Sequence, residues 1–460
     1  MSDKRADVLT EIFSWATTNP GQFACVFRRK NGVTERLTYL ELSRLSTRRA
    51  LQIQSEVPGI KRVALLALHG PEFLIEALAI MAAGHCLVPV NPLLPPGDVA
   101  DLLLRAGVGA IVRPGVDLEI LPATDAIDGN GDQDFCALDP AYLRFTSGST
   151  GKRKGVLLGH QTILDRTAIA NERLQISSSD RVLCLLPMVD HLVVSILLYL
   201  RYGATVLLVE DPADALPLAA EERATVLYAS PGQYRDFSAG DGELSDLRLA
   251  ISTTQRLSET TAMNFKKRFQ VPLSQALGMI EAGLLTLNDE RAGSEPLLSG
   301  KPMPGYKITI ADAAGNPLPN GEIGEVTVAG KGLLDAYVAP WIPRDKLLDA
   351  NGFSTQDFGW IDGDGVLHLT GRGKNRLDLN GDHFFCEEVE TVLNGNPAIL
   401  ESLVTVVNGK LEARIVRAGD TDIAELIGWA EKRLPWSRLP AAFRFVERLP
   451  LTPTGKVKRD

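Results

Sequence analysis

A short segment rich in glycine, hydroxyl and basic side chains constrains this chain more than any other stretch. It consists of Thr146, Ser147, Gly148, Ser149, Thr150, Gly151, Lys152, Arg153, Lys154 and Gly155. Tyr142, Leu143 and Phe145 before it and the apolar run 156–158 after it predict buried strands. Glycines let backbone N–H groups approach an anion, hydroxyls donate hydrogen bonds and lysines supply charge, so the loop is predicted to hold a polyphosphate. The alternative is a flexible basic surface turn, because short Gly/Ser loops are common turns.

The loop differs from the common P-loop, which places four residues between its first glycine and the closing Gly-Lys-Ser/Thr. Here only Ser149 and Thr150 separate Gly148 from Gly151, and a second cation follows Lys152. The phosphate-binding hypothesis therefore depends on the composition of the loop and not on a match to that motif.

Alternating strands and helices are predicted on both sides of the loop. Residues 63–68 and 86–90 form apolar runs that are typical of buried strands, and a helical segment lies between them. This alternation predicts an α/β fold with a mostly parallel sheet that is covered on both faces. We divide it into two α/β halves, at about 60–210 and 210–290, and predict that residues 116–140, rich in Asp and Gly, form a surface linker.

The character of the sequence changes near Gly300, where glycine, proline and alternating strands predict a small β subdomain. The segment 371–374, Gly-Arg-Gly-Lys, is a natural domain boundary, and a chain of 460 residues exceeds what one core usually supports. The predicted fold class is α/β. A large N-terminal domain of two α/β subdomains plus the small β subdomain, residues 1–372, is followed by a small α+β C-terminal domain, residues 373–460.

Composition and charge argue against several classes of protein. The net charge of −9, without a long basic tract, argues against nucleic-acid binding. The five cysteines are scattered and form no CxxC pair, so neither a zinc site nor a disulfide framework is predicted, and we expect a reducing, cytoplasmic location. The N-terminus shows no signal-peptide pattern. The most apolar stretch, 182–200, is interrupted by Pro187, Asp190 and His191 and is too broken to span a membrane.

The loop resembles the signature loop of the adenylate-forming (ANL) superfamily, which includes acyl- and aryl-CoA synthetases, nonribosomal peptide adenylation domains and firefly luciferase. Further blocks that are similar to that family occur along the chain in the family's order, at 37–42, 277–281, 353–357, 371–372 and 453–456. The resemblance covers nearly the whole chain. It implies a ligase that uses ATP and Mg²⁺ to form an acyl-adenylate from a carboxylic acid, and then transfers the acyl group to a phosphopantetheine thiol of CoA or of an acyl carrier protein.

The resemblance also assigns the nucleotide site. It places ATP on Thr146, Ser147, Gly148, Ser149, Thr150, Gly151, Lys152, Lys154, Thr253, Thr254, Leu277, Gly278, Asp357 and Arg372. Asp357 suits the ribose, since a carboxylate accepts two hydrogen bonds from a diol. Arg372 corresponds to an arginine that contacts ribose and phosphate, and Glu281 to the catalytic, magnesium-associated glutamate. The ordinary alternatives are exposed carboxylates for Asp357 and Glu281 and a surface salt bridge for Arg372.

Two lysines near the C-terminus match positions that the family uses. Lys456 corresponds to the catalytic lysine that bridges the acyl carboxylate and the α-phosphate; a flexible tail lysine is the alternative. Lys374 occupies the family's hinge position, where many members have Asp and the coumarate-ligase and luciferase branch has Lys. The small domain is therefore expected to rotate about Lys374 between adenylation and thioester formation, bringing the Gly381 region to the site.

The acid substrate is assigned to Asp190, His191, Ser252 and Gly278. The segment 187–191 resembles the block that holds an aromatic or histidine residue near the acyl group, and its register leaves Asp190 and His191 as alternatives. A structural histidine at a helix start is the other interpretation. The absence of a Phe-Asp dipeptide argues against an α-amino acid. The short chain is similar to stand-alone ligases that load hydroxybenzoate-type acids onto acyl carrier proteins in aryl polyene and xanthomonadin pathways, which predicts an aryl acid.

Four positions depart from the family pattern. Arg153 replaces the loop proline, Leu277 the tyrosine that stacks on adenine, Ile280 the threonine that touches the α-phosphate, and Gln356 the glycine before the ribose aspartate. Loss of one polar contact costs about 1–3 kcal/mol. These changes motivate an alternative hypothesis, a degenerate paralogue that binds nucleotide without turnover. A fatty-acid or luciferase-like member, motivated by Lys374, is a further alternative.

Overall fold

Helices and strands alternate from the start of the chain. The computed structural model describes residues 7–122, 131–146, 154–289, 292–294, 298–379, 382–450 and 457–459. The first elements are α1 (Val8–Thr18), β1 (Phe23–Arg28), β2 (Thr34–Thr38), α2 (Tyr39–Glu56), β3 (Arg62–Leu66), α3 (Pro71–Ala82), β4 (Cys86–Val90), α4 (Pro96–Ala106), β5 (Ala110–Val112) and β6 (Glu119–Ile120). α2 begins at a capping box, in which the Glu41 carboxylate accepts a hydrogen bond from the Thr38 backbone N–H at 2.8 Å.

The middle of the chain repeats this alternation. Its elements are α5 (Gly131–Ala137), β7 (Pro140–Phe145), β8 (Gly155–Gly159), α6 (His160–Leu174), β9 (Arg181–Cys184), α7 (Met188–His191), α8 (Leu197–Arg201), β10 (Thr205–Val209), α9 (Ala215–Glu221), β11 (Val226–Ala229), α10 (Pro231–Ala239), β12 (Leu249–Ser252), α11 (Glu259–Phe269), β13 (Leu273–Met279) and β14 (Gly283–Asn288). A π-helical turn at Leu192–Ile196 joins α7 to α8.

Strands dominate the next part of the chain, and the last part is mixed. The strand-rich part comprises β15 (Leu298–Pro302), β16 (Tyr306–Ala311), β17 (Gly324–Gly330), β18 (Ala336–Val338), β19 (Ile342–Pro343), α12 (Arg344–Leu347), β20 (Leu348–Asp349), β21 (Gly352–Ile361) and β22 (Leu367–Arg372). The last part comprises β23 (Arg376–Leu379), β24 (Asp382–Phe385), α13 (Cys386–Asn394), β25 (Ile399–Val407), β26 (Lys410–Arg417), α14 (Ile423–Glu431) and β27 (Ala442–Phe445).

The larger of two main sheets joins a parallel half to an antiparallel half. Its strand order is β16-β17-β21-β22-β15-β14-β13-β12-β11-β9-β10-β1-β2, with β20 beside β21. Neighbours from β1 through β10, β9, β11 and β12 to β13 pair in parallel, whereas β14, β15, β22, β21, β17 and β16 pair antiparallel. Helices cover the parallel half, which explains its continuous apolar runs.

The second main sheet has the order β19-β18-β8-β7-β4-β3-β5-β6. β5, β3, β4 and β7 pair in parallel with one another, whereas the pairs β5–β6, β7–β8, β8–β18 and β18–β19 are antiparallel. The short strand β18 comes from the strand-rich part of the chain. It therefore ties that part to the sheet that carries the glycine-rich loop.

The predicted fold class is confirmed, with two corrections. The division of the α/β halves near residue 210 is wrong, because β9 and β10 lie in the same sheet as β11–β13. Both halves have the same strand–helix pattern, so the sequence does not show which sheet a strand joins. Residues 116–140 are not wholly a surface linker: α5 lies there, and its Phe135 is fully buried under the guanidinium of Arg62, which stands 4.8 Å from the ring centroid.

The last part of the chain has its own small core. β25, β26 and β27 form a three-stranded sheet, and residues such as Val389, Leu393 and Ile415 pack together with no exposed surface. In the part of the chain that the structure describes, no helix combines the length and apolar character that a membrane crossing needs. The domain boundary between residues 372 and 373 stays a prediction.

One arginine fastens this small core to the rest of the protein. Arg256, between β12 and α11, donates from Nη1 to the Thr391 hydroxyl at 2.6 Å and to the Glu387 carbonyl at 3.3 Å on α13. Its Nη2 donates to the carbonyls of Leu369 and Thr370 on β22 at 3.2 and 3.3 Å. A single planar guanidinium thus holds two elements that flank the predicted boundary.

We expect Arg256→Ala to release α13 from β22, because the carbonyls and the Thr391 hydroxyl lose their shared donor. Trypsin should then cleave after Arg372, Lys374 and Arg376 several-fold faster than in the parent protein. Limited proteolysis followed by mass spectrometry measures this rate. Lys267→Ala, on the exposed side of α11, removes another trypsin site and is the matched control. Equal cleavage rates in the two variants would contradict the fastening role of Arg256.

Candidate active site

The glycine-rich loop joins two neighbouring antiparallel strands. Phe145 at the end of β7 lies opposite Gly155 at the start of β8, and the Thr146 backbone N–H donates to the Lys154 carbonyl at 2.9 Å. Thr146 and Lys154 therefore form the base of a hairpin. The predicted phosphate-binding residues between them lie outside the described residues: Ser147, Gly148, Ser149, Thr150, Gly151 and Lys152.

Lys154 and Glu281, both predicted from the sequence, meet at a tyrosine that sequence reasoning missed. The Lys154 ammonium lies 4.8 Å from the ring centroid of Tyr337, and the Tyr337 hydroxyl donates to Glu281 Oε1 at 3.1 Å. Burial, together with the Glu281 charge, raises the pKa of Tyr337, so its hydroxyl remains a donor at neutral pH. Tyr337 follows Glu281 by 56 residues in a stretch without a motif, so no local signal pointed to it.

The turn that carries Glu281 is fixed by a buried arginine. Arg166 on α6 donates from Nη1 to the Ile280 carbonyl at 3.0 Å and from Nη2 to the Gly332 carbonyl at 2.8 Å. The Leu334 backbone N–H donates to the Glu281 carbonyl at 2.7 Å. Burial lowers the pKa of Arg166, and neighbouring acidic side chains oppose that shift. Arg166 thus joins three distant segments around the predicted metal-binding carboxylate, and the sequence reasoning missed it too.

The arrangement around Glu281 fits a magnesium ion that arrives with a nucleotide. Mg²⁺ is usually held by one or two carboxylates plus substrate phosphates, and not by a cage of protein ligands. Among the described residues, no group of three or more His, Cys, Asp or Glu side chains is placed to hold a metal. A single buried carboxylate oriented by one hydrogen bond, close to the base of a phosphate-type loop, matches that mode of binding.

The carboxyl ends of parallel strands bring the next group of predicted residues together. Ser252, the last residue of β12, pairs with Ala229 of β11 and Gln275 of β13. Among the described residues, the fully buried Ser252 hydroxyl has no hydrogen-bond partner. Thr253 donates its N–H to the Ala229 carbonyl at 3.2 Å, and Thr254 adopts φ +76°. Ligands bind at this edge in open α/β sheets, and a β-branched residue with positive φ is the kind of strain that collects at functional sites.

Leu277 and Gly278 lie where β13 leaves the parallel part of the sheet. The pairing register with β14 shifts between them. A Cβ atom at Gly278 would stand 2.9 Å from the Gly283 carbonyl oxygen, so this close backbone approach requires glycine. Ile280, which replaces the family's threonine, is buried in the main core. Its side chain packs in that core and, being aliphatic, has no hydrogen-bond donor to offer a phosphate.

Asp357 and Arg372 stand directly opposite each other on β21 and β22. Arg372 Nε contacts Asp357 Oδ1 at 2.8 Å. The preceding residue, Gln356, has φ +62°, a left-handed conformation that glycine adopts at lower cost. A glycine would suit this position, and Gln356 adopts the left-handed conformation there all the same.

The two alternatives for the acid site have different partners. Asp190 accepts from Arg144, whose Nη1 lies 3.4 Å from Asp190 Oδ1 and also donates to the Asp190 carbonyl. His191 Nδ1 lies 3.1 Å from the Tyr228 hydroxyl, and the two rings pack edge to face with centroids 5.6 Å apart. Asp190 is thus joined to the strand that enters the glycine-rich loop, and His191 to an aromatic group on β11. Sequence reasoning missed Arg144 and Tyr228 as partners.

Of the two predicted lysines, the structure describes the hinge residue, which follows Arg372 by two residues. Lys374 is exposed in a 3₁₀ turn directly after β22. Lys456 and Gly381 lie outside the described residues. Three residues beyond Lys456, Arg459 Nη1 donates to Glu390 Oε1 on α13 at 2.7 Å. Burial raises the pKa of Glu390, while Arg459 opposes that shift. The end of the chain is therefore attached to the small core.

The chain is similar to known proteins over most of its length. Residues 12–338 match the family described as AMP-binding enzyme. Feruloyl-CoA synthase from Amycolatopsis sp is 28% identical over 454 residues, which cover 92% of this chain and 92% of that protein.

Solved structures extend the likeness to the whole fold. O-succinylbenzoate coenzyme A synthetase from Bacillus subtilis, in complex with AMP, has a TM-score of 0.83 at 21% identity and covers 97% of this chain and 96% of its own. The anthranilate CoA ligase AuaEII, in complex with anthranoyl-AMP, has a TM-score of 0.82 at 21% identity, with 98% and 95% covered.

We expect Arg166→Met to lower the free energy of unfolding by about 3 kcal/mol, because it leaves the buried carbonyls of Ile280 and Gly332 without a donor. Urea denaturation followed by tryptophan fluorescence measures this change. Arg223→Met, at an exposed arginine that pairs with Asp246, is the control and should change stability little. Parent-like stability of Arg166→Met would show that this arginine does not hold the Glu281 turn.

Proposed function

The chain belongs to the family of AMP-binding enzymes and is an AMP-forming acid–thiol ligase similar to acyl- and aryl-CoA synthetases, and on this premise we propose that it activates an aryl carboxylic acid. ATP and the acid form an acyl-adenylate with release of pyrophosphate. A phosphopantetheine thiol, of CoA or of an acyl carrier protein, then displaces AMP and takes the acyl group as a thioester. Magnesium accompanies the nucleotide, and the cytoplasmic location stays a prediction.

The observation that carries this proposal is the meeting of Lys154 and Glu281 at Tyr337. A cation at the base of a phosphate-type loop and a buried carboxylate are what polyphosphate with a hard metal ion requires. Bound magnesium would neutralise charge on the phosphates. The protein's own part is to hold Glu281 through Arg166 and to present backbone N–H groups and cations from the loop.

Other predicted residues complete a nucleotide site in this proposal. Asp357, oriented by Arg372 at 2.8 Å, accepts hydrogen bonds from the ribose hydroxyls. Leu277 and Gly278 cover the base by apolar and backbone contact. Thr253 and Thr254, at the carboxyl edge of the parallel strands, border the nucleotide and the acid.

Aromatic side chains support an aryl acid as substrate. His191 packs edge to face on Tyr228, and Tyr228 packs on Tyr199 with centroids 6.3 Å apart. Tyr199 and Tyr228 are buried in the core, so the half-buried imidazole of His191 is the one of these rings that we expect to contact a planar aromatic ligand. Feruloyl, o-succinylbenzoyl and anthraniloyl groups, named for the similar proteins above, are all aromatic acyl groups. We infer an acid of hydroxybenzoate type that lies near His191, with Asp190, Ser252 and Gly278 as further contacts.

The small domain supplies the catalytic lysine in this proposal. Arg459, three residues beyond Lys456, pairs with Glu390 on α13, which supports a mobile unit of residues 373–460 that carries Lys456 with it. Rotation about Lys374 would exchange Lys456 for the Gly381 region at the acyl-adenylate. Separate conformations for the two half-reactions allow one site to bind pyrophosphate first and a thiol afterwards.

ATP–pyrophosphate exchange over a panel of acids tests the proposed function. The panel contains hydroxybenzoates, cinnamates, fatty acids and amino acids, and each exchange-positive acid is then offered CoA or a phosphopantetheinylated carrier protein. We expect the rate of pyrophosphate exchange to be highest with the aryl acids of the panel. Exchange confined to fatty or amino acids would overturn the aryl assignment, and silence across the panel with intact ATP binding would overturn the ligase assignment.

A nucleotide-binding paralogue without turnover is the second candidate. The buried Ile280 favours it, because that side chain cannot donate a hydrogen bond to a phosphate. ATP-dependent thermal stabilisation without exchange for any acid is its signature.

We expect Lys456→Ala to reduce pyrophosphate exchange by about 10²-fold or more, because the cation that bridges carboxylate and α-phosphate is lost. ATP binding should stay largely intact, as measured by calorimetry. Lys458→Ala, two residues further along the same tail, is the matched control and should retain exchange. Exchange at the parent rate in Lys456→Ala would refute the assigned role.

A further inference from the structure

Tyr337 reaches the candidate site from β18, a strand that is distant in sequence from both the glycine-rich loop and the Glu281 turn. It lies on β18 opposite Val156, two residues after Lys154. Its ring also packs against Phe353 of β21, with centroids 6.4 Å apart. The side chain is buried, so its orientation is set by packing on several sides.

The segment around Tyr337 also holds the main chain of Glu281. Leu334 donates to the Glu281 carbonyl at 2.7 Å, and Tyr337 donates to its carboxylate at 3.1 Å. Asp335, between them, accepts hydrogen bonds from the Gly159 N–H at 2.7 Å and the Thr162 hydroxyl at 2.9 Å. One short segment therefore fixes both ends of Glu281 and is itself fastened to the strand that follows the loop.

We propose that Tyr337 is a positioning residue that keeps the Glu281 carboxylate and the Lys154 ammonium oriented and apart, so that both charges stay available to a magnesium-bound nucleotide; this inference rests on the proposed nucleotide site. Opposite charges in a partly buried place attract strongly. If Lys154 and Glu281 formed a direct ion pair, the ammonium would be less available to phosphate and the carboxylate less available to metal.

The chemistry of tyrosine suits this role at both ends. Its aromatic face attracts the ammonium and leaves the positive charge in place. Its hydroxyl gives one carboxylate oxygen a charge-assisted hydrogen bond, which fixes the rotation of the carboxyl group. Phenylalanine keeps the first contact and loses the second, whereas leucine loses both.

The test is ATP binding by calorimetry, with MgCl₂ and with EDTA, in the absence of any acid. The parent protein should bind ATP more tightly with Mg²⁺. In Tyr337→Phe we expect the enhancement by Mg²⁺ to fall about tenfold, with the affinity in EDTA unchanged, because the loop cation keeps its aromatic support. In Tyr337→Leu the affinity in EDTA should fall as well.

Tyr306→Phe is the matched control. The Tyr306 hydroxyl donates to the carbonyl of Ala282, the next residue of the same turn, and Tyr306 is similarly buried. Thermal unfolding shows whether each variant is folded. If Tyr337 were merely structural, Tyr337→Phe and Tyr306→Phe would show the same small loss of stability and the same response to Mg²⁺. That result would overturn the inference.

Because no acid is present, this outcome is independent of turnover. A parent protein that binds ATP with Mg²⁺ but exchanges no pyrophosphate would contradict the proposed ligase function. It would not contradict the Tyr337 inference. A parent protein that binds ATP equally in MgCl₂ and EDTA would overturn the inference, whatever the exchange assay shows.

Discussion

The buried guanidinium of Arg166 is the constraint on which the candidate site depends. A buried charge is costly unless its donors are satisfied, and here Nη1 and Nη2 are aimed at main-chain carbonyls of the 280–281 turn and of Gly332, while Nε has no partner among the described residues. Carbonyl partners have fixed positions, unlike flexible carboxylates. The guanidinium therefore sets the spacing between α6, the turn after β13 and the segment that leads to β18.

A second constraint is the antiparallel insertion of β18 beside β8. Three residues of this strand pair with the strand that follows the glycine-rich loop. Because β18 comes from the strand-rich part of the chain, this pairing brings Tyr337 into the sheet that carries the glycine-rich loop, at the base of that loop. Glu281, Lys154 and Tyr337 come from three separate stretches of sequence, and their meeting is a product of sheet topology.

Polar contacts hold the small core against the rest of the protein. The proposed rotation about Lys374 would have to break them. Arg256 bonds to α13 and to two carbonyls of β22, and Arg235 pairs with Glu401 at 3.0 Å. These contacts are polar and partly exposed, so water can replace them at low cost. Arg459, in contrast, pairs with Glu390, which is buried within the small core. The Arg459–Glu390 pair is thus less exposed than the Arg235–Glu401 pair that joins the small core to the rest of the protein.

The sequence by itself determined the fold class, the alternation of strands and helices and the family, because apolar periodicity and the spacing of short blocks are local properties. It also placed Lys154, Glu281, Asp357 and Arg372 among the candidate site residues, since each lies within or beside such a block. Tertiary structure alone decided which sheet β9 and β10 join, that Phe135 is buried and that Gln356 is left-handed. It alone showed Arg166 and Tyr337, whose partners are far away in sequence. Hydrogen bonds between distant segments leave no periodic signal, so a single sequence does not reveal them.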